Sequence, residues 1–347
     1  MTAVPQARPE PGVAVEMAPG LLRICMPLPG PPSHVNCWLI ADNDGWMLVD
    51  TGRGDEPTRA LWRQIFATAL GGRPVTRVLI THFHPDHVGL AGWACGEWNA
   101  PLLMPRTEWQ RARLLLLEDP AVLTAMLVGL QRQAGAGAEH LRRVAAEGAT
   151  YRSVVDPLPL AFQVIEEGQA LCIGGRDWTV RIGAGHSPEM ACLHDPRSGI
   201  LISADHILPR ISPHVGMHPS EPEGDPLGVF LRGLSRFRDL LPADTFVLPS
   251  HGEPFRSLHP RIDALLRHHE ESLFRLRAGA GQGLTAAEAL PLMFGRPFEG
   301  RQLSFALSET LAHLSHLVAR KRLLRRPAAG GVWRFEPAGP EGATGPS

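Results

Sequence analysis

The chain reads as an α/β protein of layered sheets, followed by a smaller, mainly helical segment. Three observations predict this. A strand, a helix and a second strand follow one another over residues 46–80, a unit that stacks helix on sheet. Four times, a short apolar run ends in histidine or aspartate beside small residues. From residue 259 the pattern changes to three helical stretches and a hairpin.

Bulk properties narrow the class. With 347 residues, 44% hydrophobic and 20% charged, the chain has enough apolar material for one large domain and a smaller one. The formal net charge of −1 supplies no field that would recruit nucleic acid or an anionic membrane. Five cysteines (Cys25, Cys37, Cys95, Cys172 and Cys192) lack a Cys-x-x-Cys pair and read as small buried hydrophobes in a reducing compartment. No apolar block marks a signal peptide or a membrane span, so a cytoplasmic location is expected.

Taken in order, residues 1–19 read as a loose leader. Residues 21–26 and 35–41 carry strand patterns, and Asp42-Asn43-Asp44-Gly45 marks a hairpin turn into a strand over 46–49. That strand ends in Asp50, either a turn cap or a support for a metal-binding histidine. A helix over 58–70 leads into a strand over 75–80. At its end stands Thr81-His82-Phe83-His84-Pro85-Asp86-His87, in which four side chains able to bind metal fall within six residues. Imidazole with carboxylate suits zinc, iron or manganese, and the lack of thiolate argues against a structural zinc knot.

Residues 106–147 form a helical insert, including helices over 109–117 and 121–133. The insert is either a layer on the sheet or a lid that makes an apolar substrate pocket. Strands then return over 162–165, 170–173 and 178–182. The strand-then-ligand pattern recurs at His186 after 178–182, at Asp205 after 199–203 and at His251 after 245–248. A lone histidine is most often structural, but three with one local grammar, added to the first motif, read as one metal site.

His82-x-His84-x-Asp86-His87 with His186, Asp205 and His251 resembles the metallo-β-lactamase superfamily in identity and order. The resemblance covers roughly residues 20–255, within an expected catalytic domain over 20–258, and implies a four-layer αββα sandwich with metals at one edge between the sheets. Carried over by position, it implies that His82, His84 and His186 hold one metal. Asp86, His87 and His251 would hold a second, with Asp205 bridging and Asp50 supporting the site from behind. It implies two divalent ions, zinc first, with iron or manganese as alternatives. Such an ion lowers the pKa of bound water from 15.7 toward about 7, and Asp86 orients the nucleophile or accepts its proton. Ala204 departs from the family, which commonly has glycine before the bridging aspartate. His206 and Arg210 are the candidates for an anionic substrate group.

Residues 259–336 resemble a small winged-helix-like α+β domain, similar to the C-terminal domain of the β-lactamase-like protein 2 and glyoxalase II-like group. The Gly/Pro-rich residues 337–347 are expected to be disordered. Five positive charges fall within residues 320–326, but the third helix carries Leu311, His313, Leu314 and Leu317 in place of groups that read bases. The expected function is a binuclear metal-dependent hydrolase of a small ester-like bond, a thioester or acyl ester. Alternatives are a metal-dependent endoribonuclease, a lactone or β-lactam hydrolase, and a regulator that binds DNA through the C-terminal domain. Oxidation of a thiol at a single iron is disfavoured by the full second-metal set. The partner is a small-molecule substrate, with no membrane and no nucleic acid; a homodimer is compatible with the sequence.

Overall fold

The computed structural model describes residues 8–339. Its first sheet runs β1 to β7 in sequence order: β1 (Ala14–Ala18), β2 (Leu21–Pro27), β3 (His34–Asp42), β4 (Gly45–Val49), β5 (Val75–Leu79), β6 (Leu102–Met104) and β7 (Gln163–Val164). The first four strands form an antiparallel meander, and β4 to β7 are parallel. The parallel half requires crossovers. α1 (Glu56–Thr68) supplies one, capped by Asp55, whose side chain accepts from Thr58 N. The short α2 (Pro85–Val88) and α3 (Ala91–Trp98) supply the next. The Asn43-Asp44 turn pairs Asp42 with Gly45, as its sequence predicts.

The second sheet has the order β12-β11-β10-β9-β8, from β8 (Ala170–Ile173), β9 (Arg176–Gly183), β10 (Met190–Asp195), β11 (Ile200–Ala204) and β12 (Phe246–Pro249). Only β11 and β12 pair in parallel. Strand alternation splits the core in two. Trp38, Ile40, Met47, Val49 and Leu79 of the first sheet pack against Leu171, Trp178, Val180, Leu193, Ile202 and Leu248 of the second. Their neighbours Cys37, Leu39, Leu48 and Val78 face the other way, onto Trp62 and Ile65 of α1 and Ala91 and Ala94 of α3. A period of two thus serves both layers of the expected αββα sandwich.

α4 (Arg106–Leu117) packs Trp109, Ala112, Leu115 and Leu116 on the helix-covered face of the first sheet and leaves Leu114 and Leu117 exposed. It is followed by α5 (Pro120–Gln133), α6 (Ala138–Glu147) and, later, α7 (Pro226–Leu240). α8 (Leu258–Gly279), α9 (Ala286–Phe294) and α10 (Gly300–Ala319) precede a hairpin of β13 (Leu323–Pro327) and β14 (Trp333–Pro337). The capping box predicted at Thr285 is formed, with Thr285 and Glu288 bonding each other's backbone N–H groups.

Three expectations change. Residues 14–18 of the leader are β1, held because β2 would otherwise present an unpaired edge. Residues 106–147 do not stay together. The first compact unit comprises the chain up to Leu117, Thr150–Pro213 and Phe237–Ile262; the second comprises Glu118–Ala149, His214–Arg236 and the chain from Asp263 onward. Within that second unit, Ala287 N bonds Ala134 O, and Gln131 bonds Ser304 O and His140. Of the expected disordered tail, Pro337 closes β14, whereas 340–347 lie outside the described residues, as do 1–7 of the leader. All five cysteines are free, four of them buried and Cys172 exposed. No single described helix is long and apolar enough to cross a membrane.

The second unit buries a histidine pair. His269 Nδ1 and His313 Nε2 lie 3.0 Å apart and both side chains are fully enclosed. Burial and the neighbouring imidazoles lower their pKa values to about 2 and about 4. An unfolded histidine takes up a proton below about 6.5, whereas the folded pair stays neutral well below that. The unfolded state therefore binds more protons between about pH 6.5 and 4, and stability falls as pH is lowered through that window. The loss is up to about 1.4 kcal/mol per pH unit for each histidine. A His269→Phe, His313→Leu double variant is expected to lose less stability than the parent between pH 6.5 and 5, measured as the shift in urea midpoint.

Candidate metal centre

The direction of the strands explains where the polar residues gather. β4 and β5 run in parallel in one sheet; β9, β11 and β12 share a direction in the other. Asp50 follows β4, the His82–His87 segment follows β5, His186 follows β9, Asp205 follows β11 and His251 follows β12. Every candidate thus leaves a strand at its C-terminal end. The two sheets are tied there, because Ala191 N bonds Thr81 O at 2.9 Å and Asn36 N bonds Ser250 O at 2.6 Å.

All seven sequence-predicted ligands converge. Three groups form, His82–His84–His186, His82–His87–Asp205 and Asp86–His87–His251, each with donor atoms within 4.8 Å of one another. Asp205 stands between the two ends of the cluster: one carboxylate oxygen lies 3.3 Å from both His186 Nε2 and His251 Nε2, the other 3.6 Å from His87 Nε2. Asp86 Oδ2 lies 3.5 Å from His251 Nε2 and 3.7 Å from His87 Nε2. Its side chain is 25% exposed against 7% for Asp205, so Asp86 is the carboxylate that meets solvent.

The electrostatics ask for positive charge. Burial alone would lower the His87 pKa, but Asp86, Asp205 and Asp50 outweigh it and raise it well above the usual range. His251 is raised in the same way, burial being overcome by Asp205 and Asp86. For Asp205, burial would raise the pKa, and His251 with His87 pulls it well below the ordinary carboxylate value. His82, fully buried beside His87 and His84, is held well below the ordinary imidazole value, first by burial and then by those neighbours. His87 Nε2 and Asp205 Oδ1 are buried without a hydrogen-bond partner. Buried polar atoms of that kind are normally satisfied. A nitrogen–carboxylate donor set that favours cationic charge and leaves such atoms over fits a divalent metal.

The loops that carry His82 to His87, His186 and His251 are each pinned by polar groups from another element. Asp50, with a left-handed backbone (φ +59°), accepts from Thr81 N and Thr81 Oγ1 and meets His87 Nδ1, each at 2.8 Å. It is the support for a histidine that the sequence suggested. His251 Nδ1 meets His34 O at 2.7 Å. The 249–252 loop is held further by Asn36, which donates to Pro249 O and Gly252 O, and by the buried Arg23, which bonds Asn36, Gly252 O and Glu253. Glu108 of α4 accepts from Phe83 N at 3.0 Å and Glu189 N at 2.6 Å, and Tyr151 donates to Phe83 O at 2.6 Å.

Arg23, Asn36, Glu108 and Tyr151 were not among the residues expected at the site. Glu108 does carry a sequence signal: with Ala112 it makes the buried stripe of α4, where a glutamate is out of place. Burial is the main influence on its carboxyl, raising its pKa to about 7 against the pull of the two backbone donors.

Two expected contacts need comment. His206 is fully buried, its ring 4.6 Å from that of Phe237 and so close to Gly183 that a Cβ there would lie 2.5 Å from the imidazole. Having no accessible surface, it is a packing residue and not a substrate contact. Arg210 is exposed at the end of the same loop. Ala204 adopts a left-handed conformation (φ +46°), which explains why glycine suits this position: a Cβ there costs roughly 1–2 kcal/mol.

Comparison with known proteins agrees with this geometry. The chain is 38% identical to a beta-lactamase domain protein from Burkholderia ambifaria, whose crystal structure matches 96% of this chain and 97% of that one with a TM-score of 0.83. A metallo-beta-lactamase family protein from Thermus thermophilus is 28% identical, with a TM-score of 0.78 over 93% of this chain and all of the other. The probable metallo-hydrolase YqjP of Bacillus subtilis is 27% identical over 323 residues, 87% of this chain and 93% of its own length. Residues 275–338 match the model of a metallo-beta-lactamase-like C-terminal domain. Residues 30–278, which carry all seven converging side chains, match the Metallo-beta-lactamase superfamily model, and the chain belongs to that superfamily.

Proposed function

We propose that the chain is a metal-dependent hydrolase with two divalent ions, zinc first, acting on a small ester-like substrate, a thioester or acyl ester. The observation that carries this reading is the approach of Asp205 to histidines of both ends of the cluster. His82, His84 and His186 would hold one ion, Asp86, His87 and His251 the other, and Asp205 both. A bound divalent metal supplies Lewis acidity, lowering the pKa of water and polarising a carbonyl or phosphoryl oxygen. Asp86, the exposed carboxylate, receives the proton of the attacking water. Asp205 and Asp50, both buried, stay out of proton transfer: the first would contact both ions, and the second fixes the His87 ring. Two carboxylates among the ligands only partly neutralise two divalent ions, which leaves the site favourable to charge that develops on the attacked oxygen.

A small ester-like substrate is favoured over nucleic acid on charge and surface. The net charge is −1. In the basic 320–326 segment, Arg320 is paired with Glu270 and Arg325 with Glu223. Leu311, His313, Leu314 and Leu317 of α10 are buried, leaving no row of side chains to enter a groove. The helix that begins at the site, α4, exposes Leu114 and Leu117, which suits an apolar acyl group. The name of the B. subtilis relative supports the broad class, a metallo-hydrolase.

The test is metal analysis of the purified protein, followed by a panel of thioesters, acyl esters, lactones, β-lactams and RNA with and without chelator. Chelator-sensitive turnover of thioesters or acyl esters is expected, and His82→Ala or His186→Ala should abolish it. Undiminished turnover in those variants refutes the assignment, and preferential RNA cleavage refutes the substrate class. Asp50→Ala, which frees the His87 ring, is expected to lower metal affinity by about 10–100-fold in competition with a chromogenic chelator. Unchanged affinity would mean that His87 is oriented by another group.

A further inference from the structure

The start of α4 does more than cover the first sheet. Glu108 is fully buried, and its two carboxylate oxygens accept from two loops distant in sequence: Oε2 from Phe83 N, between His82 and His84, and Oε1 from Glu189 N, three residues after His186. Glu189 replies in kind, its carboxylate accepting from both Thr107 N and Thr107 Oγ1. An anionic group belongs at a helix N-terminus, where free N–H groups and the positive end of the dipole favour it. In the next peptide group, Tyr151 holds Phe83 O. Both peptide groups between His82 and His84 are therefore held by side chains from outside the segment, and one of these contacts is shared with the His186 loop. His251 and Asp50 have no part in this arrangement; they are held by His34 O and by Thr81 with His87.

We propose that Glu108 is a positioning residue that sets the His82–His84 segment against His186, and so governs one of the two metal positions selectively. This rests on the reading of the site given above. The carboxylate satisfies two buried backbone donors at once; an amide has a single oxygen to offer and turns an N–H toward a donor at the other position. Glu108→Gln therefore loosens one loop relative to the other without changing side-chain volume. His87 and His251 keep their own supports, Asp50 and His34 O.

The experiment is a metal titration of the metal-free full-length protein, parent and Glu108→Gln, with Zn²⁺ against a chromogenic chelator, alongside the thermal unfolding of each. The expected result is that one of two bound equivalents weakens by about 10–100-fold while the other stays within about threefold. If Glu108→Gln does not fold, Glu189→Ala carries the test, because it removes the single oxygen that accepts from both Thr107 N and Thr107 Oγ1 and so releases only the 186–189 loop from the start of α4; the same selective weakening is expected. Two equivalents bound as in the parent, or both weakened alike, overturn the proposal, the second outcome assigning Glu108 a general structural role. A parent protein that binds no Zn²⁺ refutes the metal reading itself and this inference with it. That failure is seen in the parent alone, and so is distinct from a difference between parent and variant.

Discussion

A carboxylate sealed from water has to be answered by donors, and at Asp50 three donors answer it: Thr81 N, Thr81 Oγ1 and His87 Nδ1. This requirement locks the end of β4 to the end of β5 and fixes the ring of His87 in the same stroke. The backbone accepts a left-handed conformation at Asp50 to make it happen. Strain of this kind persists where surrounding contacts over-determine it, and a second case, Ala204, stands just before Asp205 at the end of β11. Both sheets therefore place an unfavourable backbone next to a residue of the site.

The same logic extends around the cluster. A loop that leaves a strand has unpaired backbone groups, and the loops that carry His82, His186 and His251 are each closed by a buried polar side chain from elsewhere. Asn36 reaches the carbonyl of Pro249, 213 residues away, and Arg23 reaches Glu253, 230 residues away. The site is thus rigid because its supports belong to the two sheets and to α4, elements already held by apolar packing. Rigidity in the supports is what lets imidazole nitrogens stay close while the carboxylates draw positive charge to them.

Sequence reading reaches the seven side chains that converge and stops short of what holds them. His82, His84, Asp86 and His87 declare themselves by spacing, and His186, Asp205 and His251 by the repeated run of apolar residues into a ligand. Element positions follow from periodicity and capping: the Thr285 box and the Asn43 turn fall where expected. The strand β10 (Met190–Asp195) is absent from the expectations because all six residues are buried, so its sequence shows no alternation, and its end, His194-Asp195, is polar. His206 misleads for a similar reason, since adjacency to Asp205 in the chain does not tell which way a ring turns. Glu108 and Arg23 escape because their roles rest on partners far along the chain, and no local pattern encodes such a pairing.

The second compact unit is assembled from three separate stretches, Glu118–Ala149, His214–Arg236 and the chain from Asp263 onward. Such interleaving has a practical consequence for genetic dissection. A stop codon after residue 258 would strip α5 and α6 of Ala287, Gly300 and Ser304, whose backbone groups they bond. Expressing the last segment alone would omit Gln131 and Asp225, which bond Ser304 and His316 within it. Function-swapping between relatives therefore has to exchange all three pieces together, or none.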